Sequence, residues 1–320
     1  MIFAGHEAAW REWRDGLAGE RMHHAWLLAG KRGLGKMSFA LAAARELVAE
    51  PGASQPMSSH PDILVLTHLP KDEKEEKKRD EGKEFELARN IKVAQIREMQ
   101  RRLTTRPTLG TRRAVIIDPA DDMEASSSNA LLKSLEEPPV GTFFLLVAHR
   151  PARLLPTIRS RCRTLRFPLL DDKAIDQVLA RDAPEADEDT RAAAISAAAG
   201  SPGMALEFVA HGLDPMNTLM QQIIEVGDPE FALRGKLAAE IGLRPDRERI
   251  TGVLDLARAI LARKAHKAPR QQLPGIIDAY ADLVKLSAQA PTHNFDPGLL
   301  VMQIGGLLAS AAAASERADA

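Results

Sequence analysis

Residues 25–37 read AWLLAGKRGLGKM. The five apolar residues Ala25–Ala29 have the pattern of a buried strand. The stretch 37–48 places apolar side chains at 37, 40, 41, 44, 47 and 48, one face of a helix. Between them stands Gly-x-x-x-x-Gly-Lys, from Gly30 to Lys36. With a strand before and a helix after, that spacing is the pattern of a phosphate-binding loop. Gly30, Gly33 and Gly35 let backbone N–H groups turn toward an anion, the helix N-terminus adds its dipole, and Lys36 supplies a mobile charge. The plainer reading of the same residues is a glycine-rich turn with a surface lysine.

Working outward, short apolar runs at 63–67, 114–118, 143–148 and 163–167 predict further strands, and 91–103 and 129–137 predict helices. The last helix is expected behind a cap region at serines 126–128 and ends at Pro138 and Pro139. Strands alternating with helices argue for a parallel α/β sheet. After Pro168 the strand signal stops. Residues 169–210 read as a small helical unit, and apolar residues at helical spacing recur at 218–226, 231–241, 250–267, 274–288 and 299–314. The expected fold class is therefore α/β plus all-α. The expected domains are an α/β phosphate-loop domain at 1–168, a small helical lid at 169–208 and a helical domain at 209–320. Residues 71–84, KDEKEEKKRDEGKE, carry six basic and seven acidic side chains and no apolar one. They read as a solvated loop or frayed helix.

The 320 residues hold 43 Lys and Arg against 44 Asp and Glu, so the net charge of -1 provides no global positive field. Any nucleic-acid contact must come from a local patch. No apolar run approaches the ~20 residues of a membrane span, and the N-terminus lacks the pattern of a signal peptide. One cysteine, Cys162, leaves no disulfide framework and no cysteine-cluster metal site. A cytoplasmic protein without a membrane partner is expected.

The phosphate loop is followed by an anomaly. Met37 stands where Ser or Thr would ligate Mg²⁺, and a thioether is a poor ligand for a hard cation. Ser38 comes one residue late, turned by about 100° of helix. The strand at 114–118 ends on Asp118, the expected metal-side carboxylate, but Pro119 follows it with no side-chain acceptor. Asp118 also fits a simple strand-end cap.

Four stretches carry a more specific resemblance: RMHHAWLLAGKRGLGK (21–36), SSSNALLKSLEEPP (126–139), LLPTIRSRC (154–162) and GSPGMAL (200–206). Together they resemble the AAA+ subunits of DNA sliding-clamp loaders, and among them the delta-prime family of the bacterial DNA polymerase III clamp loader. The resemblance implies an AAA+ phosphate-loop domain, a lid and a C-terminal collar that joins a hetero-oligomeric ring. It also implies that Arg161, between Ser160 and Cys162, is an arginine finger inserted into a neighbour's ATP site. Guanidinium keeps its charge and offers fixed donors to a developing phosphate charge. The bland alternatives are a structural arginine or an electrostatic patch, since six arginines and no acid lie between 150 and 167. Two further family positions, both sensors of nucleotide, fall on Ala148 and Gly203, neither of which has a polar side chain. His149 is adjacent, but strand alternation points it to the other face.

Met37, Pro119, Ala148 and Gly203 thus replace four parts of a hydrolysis site, while the part used in trans is present. That asymmetry implies a stator subunit of a DNA-directed DNA polymerase holoenzyme whose own ATPase site does not turn over. Gly35 and Lys36 permit ATP or ADP, Met37 weakens Mg²⁺-dependent binding, and no cofactor is required. Relatives bind zinc through cysteines that are missing at 50–62, so no zinc is expected. The implied partners are other clamp-loader subunits, the sliding clamp through the complex, and primer-template DNA. Arg97, Arg101 and Arg102, in a run of six arginines from 97 to 113, are the DNA-contact candidates by sequence-independent phosphate binding, or else a solvated helix face. The alternative function is a competent AAA+ ATPase such as a motor subunit.

Overall fold

A computed structural model describes residues 5–19, 22–50, 56, 59–242, 245, 247–290 and 295–316. The first four residues, Arg21 and most of 51–58, the stretch read as lacking zinc ligands, lie outside the described residues. The chain divides into two compact units, Met1–Leu169 and Leu170–Ala320.

The first unit contains strands β1 (Ala25–Ala29), β2 (Ile63–Leu66), β3 (Arg113–Ile117), β4 (Thr142–Ala148) and β5 (Arg163–Arg166). They form one parallel sheet in the order β2-β3-β4-β1-β5. Its helices are α1 (Glu7–Ala18), α2 (Lys36–Val48), α3 (Glu73–Asp80), α4 (Val93–Leu103), α5 (Ala125–Glu136) and α6 (Pro156–Arg159). The central strands read as unbroken apolar runs because both faces are covered. Trp26, Leu28, Ile116 and Val147 pack with Trp13, Phe39 and Leu47 on one side. Leu27, Val115, Ile117 and Leu146 pack with Ile96, Met99, Leu131 and Ile158 on the other. Fully burying a side chain of this size contributes roughly 1.5–3 kcal/mol.

Every expected strand is present within a residue or so of its reading. Two local expectations are corrected. Serines 126–128 lie inside α5 and do not precede it; Ser127 is buried and its hydroxyl donates to the Ile91 carbonyl at 2.7 Å. A long-range acceptor removes the competition with backbone that makes serine a capping residue. The charged stretch 71–84 contains a capped helix, α3. The Asp72 carboxylate accepts from the backbone N–H of Lys74 and Glu75, both at 3.0 Å. Glu75 is buried and accepts from Lys78 Nζ at 2.8 Å and from the Glu86 amide at 2.7 Å. Acids in the first turn and bases in the last also complement the helix dipole. Order here comes from capping and pairing, which a composition argument about apolar burial does not see.

The second unit is all-helical: α7 (Asp172–Asp182), α8 (Glu188–Ala198), α9 (Pro202–Ala210), α10 (Asp214–Val226), α11 (Ala232–Ile241), α12 (Arg247–Lys267), α13 (Leu273–Gln289) and α14 (Pro297–Glu316). The boundary expected at 168 adjoins the observed division. The one expected at 208 falls inside this unit, where Phe208 and Leu213 share a core with Leu256 and Ile260. Arg263 on α12 donates to the Ser196 hydroxyl of α8 at 2.7 Å. Among the described residues no helix is long and apolar enough to cross a membrane.

Candidate functional site

Between β1 and α2 the chain makes the glycine loop that the spacing predicts. A side chain at Gly30 would place its Cβ 2.5 Å from the Phe167 carbonyl oxygen, so this glycine serves the close approach of β5. Gly35 caps α2 at φ 73, in the left-handed region. Lys36, in the first turn of α2, is buried, and its ammonium donates to the Gly30 and Lys31 carbonyls at 2.8 and 2.5 Å. Burial pulls its pKa down to about 8, against the attraction of Asp118 and Asp121. Met37, the second residue of α2, is half-buried against the core that α1 and α2 share, and Ser38 is exposed. Neither side chain stands in for a Mg²⁺-ligating hydroxyl. His6, which no motif singled out, donates from Nε2 to the Leu34 carbonyl of the loop at 2.7 Å and lies edge-on to Phe167. Beside the loop is an open cleft of about 500 Å³, lined by Gly30, Leu34, His149, Arg166 and Phe167 among others.

Asp118 follows β3 at the mouth of the loop. Burial pushes its pKa up to about 6; Lys36 and Arg32 oppose that rise and Asp121 adds to it. Pro119 follows with no side-chain acceptor, as read from the sequence. Asp121 was not foreseen: its carboxylate accepts from the backbone N–H of His149 at 2.8 Å and of Arg150 at 3.0 Å, fixing the chain as it leaves β4. The expectation for His149 is corrected. β4 ends at Ala148, alternation no longer governs the next residue, and His149 Nε2 lies 3.8 Å from Asp118 Oδ1. Burial first, and then Lys36 and Arg32, push the His149 imidazole down to about 4. Ala148 itself is fully buried on the face of the sheet carrying α4 and α5. Gly203 lies in the first turn of α9, in the second unit.

These two shifts have opposite consequences for acid stability. An unfolded histidine takes up its proton near pH 6.5 and folded His149 only near 4, so acidification through that window favours unfolding. Folded Asp118 holds its proton from about pH 6 and the unfolded residue only from 3.8, so the same acidification favours the fold. The two largely cancel. His149→Asn is expected to gain stability relative to the parent between pH 6.5 and 4, and Asp118→Asn to lose it, each on the order of 2 kcal/mol. Denaturant titrations at several pH values test this; parallel curves for all three proteins would refute it.

Arg161 follows α6. Its Nη1 donates to the Thr157 carbonyl at 3.0 Å and its Nη2 meets Glu136 Oε1 of α5 at 2.7 Å. The side chain is 35% exposed. Burial pushes the neighbouring Cys162 thiol up to about 12, so it stays protonated. Of the other arginines in the run, Arg150 and Arg153 meet Asp122 at 3.1 and 3.6 Å, and Arg163 meets Glu12 at 3.0 Å. A run without local acids is thus largely neutralised by acids from elsewhere in the chain.

Arg97, Arg101 and Arg102 are exposed on α4, opposite its buried face of Ile96, Met99 and Leu103. Arg101 and Arg102 both pair with Glu98, the latter at 3.5 Å. Arg113, counted in the same basic run, is buried. It donates to the Arg102, Thr105 and Arg106 carbonyls at 2.7, 3.1 and 2.8 Å, closing the C-terminal end of α4. Its Nη2 lies 3.6 Å from Asp62, itself wholly buried. Among the described residues no group of three His, Cys, Asp or Glu stands together in a way that could hold a metal ion.

The sequence model of the family described as DNA polymerase III, delta subunit, matches residues 5–171. The chain belongs to that family. The match covers the sheet, the glycine loop and Arg161 of this DNA polymerase III family member. A DNA polymerase III subunit delta' from Pseudomonas aeruginosa is 33% identical over 214 residues, 63% of this chain and 59% of that protein. One from Bacillus subtilis is 34% identical over 171 residues, 50% of this chain and 46% of that protein. A tau/gamma subunit from Haemophilus influenzae is 35% identical over 172 residues, 52% of this chain and 23% of that protein. The chain spans less than two thirds of the length of each of these relatives. Identity does not separate the delta' and tau/gamma subunits; the residues at the phosphate loop have to.

Proposed function

We propose that the chain is the delta-prime, stator-type subunit of a DNA polymerase III clamp loader. In this reading it supplies Arg161 to the ATP of a neighbouring subunit, does not hydrolyse ATP itself, and acts in loading a sliding clamp on primed DNA. The carrying observation is the asymmetry of the phosphate-loop domain. Met37 is half-buried against the core, Pro119 has no side chain to orient water and Ala148 has no polar group, while Arg161 is partly exposed. Phosphoryl transfer is driven by positioning and charge stabilisation, so the loss of several such groups together lowers the rate by far more than the loss of one. The exposed arginines of α4 would follow phosphates of the enclosed duplex without reading sequence.

The similarity to a tau/gamma subunit favours a second reading, a competent ATPase with Lys36 and Asp118 in their usual places. Reconstitution separates the two. The purified chain is expected to release no phosphate from ATP above background, and adding it to tau/gamma-type subunits is expected to raise their turnover. Brisk hydrolysis by the chain alone selects the second reading. Pro119→Glu is expected to leave the isolated chain inactive, because Met37, Ala148 and Gly203 remain; measurable phosphate release by that variant would show that these positions matter less than argued.

A further inference from the structure

Arg161 is a long, flexible side chain in the turn that follows a short helix, and an unrestrained guanidinium of that kind loses rotamer entropy of about 2 kcal/mol when it is fixed on a phosphate. The structure restrains it from two directions. Thr157 belongs to α6, which is anchored by buried Ile158. Glu136 ends α5, which is anchored by buried Leu131 and Leu135. Nη1 donates to the Thr157 carbonyl, and Nη2 lies 2.7 Å from the Glu136 carboxylate as an ion pair. A terminal guanidinium nitrogen carries two hydrogens, so each retains a donor after these contacts are made.

The pair has little value as a stabilising device. Arg161 is 35% and Glu136 49% exposed, and ion pairs in such surroundings contribute about 0–1 kcal/mol. Its geometry is better suited to preorganisation: two rigid elements fix the plane of the fork in advance, which lowers the cost of presenting it to an anion. We propose that Glu136 is a positioning residue that holds Arg161 ready for a neighbour's triphosphate. This rests on the reading of Arg161 given above. Glu136 itself touches no nucleotide in this assignment; it acts through the arginine.

The test uses the reconstituted complex with ATP, comparing the parent with Glu136→Gln, Glu136→Asp and Arg161→Ala. Glu136→Gln is expected to lower kcat roughly fivefold with KM within about twofold, since a neutral amide keeps the shape but loses the charge-assisted contact. Glu136→Asp, which keeps the charge on a shorter arm, is expected to recover part of the loss. The melting temperature of the chain should not move, which separates positioning from a structural role. Unchanged or raised kcat in Glu136→Gln, with Arg161→Ala impaired, overturns the assignment of Glu136 alone. Unchanged turnover in Arg161→Ala overturns both assignments.

Discussion

If the proposed contribution in trans holds, replacing Arg161 with alanine should abolish most ATP turnover at the neighbouring subunit's site, by about 10³-fold or more, the scale on which arginine fingers act. The loss should appear in kcat and kcat/KM together, because the guanidinium meets charge that develops as the phosphoryl group transfers. The isolated protein should melt where the parent does. The side chain makes two contacts at the surface, one to a carbonyl and one to Glu136, and neither anchors buried structure. Arg161→Lys should rescue little, since an ammonium supplies charge without the planar fork. The measurement is steady-state ATPase of the assembled complex with each variant, beside a thermal melt of each variant alone. Parental turnover in the alanine complex would remove the basis for a contribution in trans.

Asp62→Ala should be the most damaging substitution for the fold. Asp62 is fully buried. Its two oxygens accept from the backbone N–H of Thr108 at 2.6 Å and of Leu109 at 2.8 Å, and the buried guanidinium of Arg113 lies 3.6 Å away. Truncation strands two amides and an arginine whose other contacts close α4. Breaking a buried charged pair on one side costs about 3–5 kcal/mol. A destabilisation of that size should lower the melting temperature by roughly 6–20 °C for a domain of this size. Asp62→Asn keeps an acceptor and should cost less. A melt of the alanine variant within about 2 °C of the parent would show that water or a rearranged loop replaces the carboxylate.

The parts of this protein that were legible from sequence are those written locally. The strand, glycine loop and helix from Ala25 to Val48 follow from apolar period and glycine spacing within one short stretch. β3 and β4 follow from apolar runs covered on both faces. The residues that hold the site in shape were not legible, because their partners are distant along the chain. His6 reaches Leu34 across 28 positions, Asp121 reaches the His149 amide across 28, and Asp62 reaches Thr108 across 46. Arg113 looked like one more member of a basic run and is in fact a buried cap for helix carbonyls; a buried arginine and an exposed one have the same local sequence. His149 shows the limit of periodicity, since alternation predicts a facing only while the strand continues. Serines 126–128 show the limit of propensity, since a tertiary acceptor outweighed the preference to cap.

The second unit has one apolar interior running from Leu170 to Ala311, with α12 tied to α8 through Arg263 and to the turn after α9 through the His211 carbonyl, 2.8 Å from Arg249 Nη1. A swivel near residue 208 would have to pull Phe208 and Leu213 away from Leu256 and let water onto all three. Bending the chain at residue 208 therefore carries a burial cost that a break between two separate cores would not.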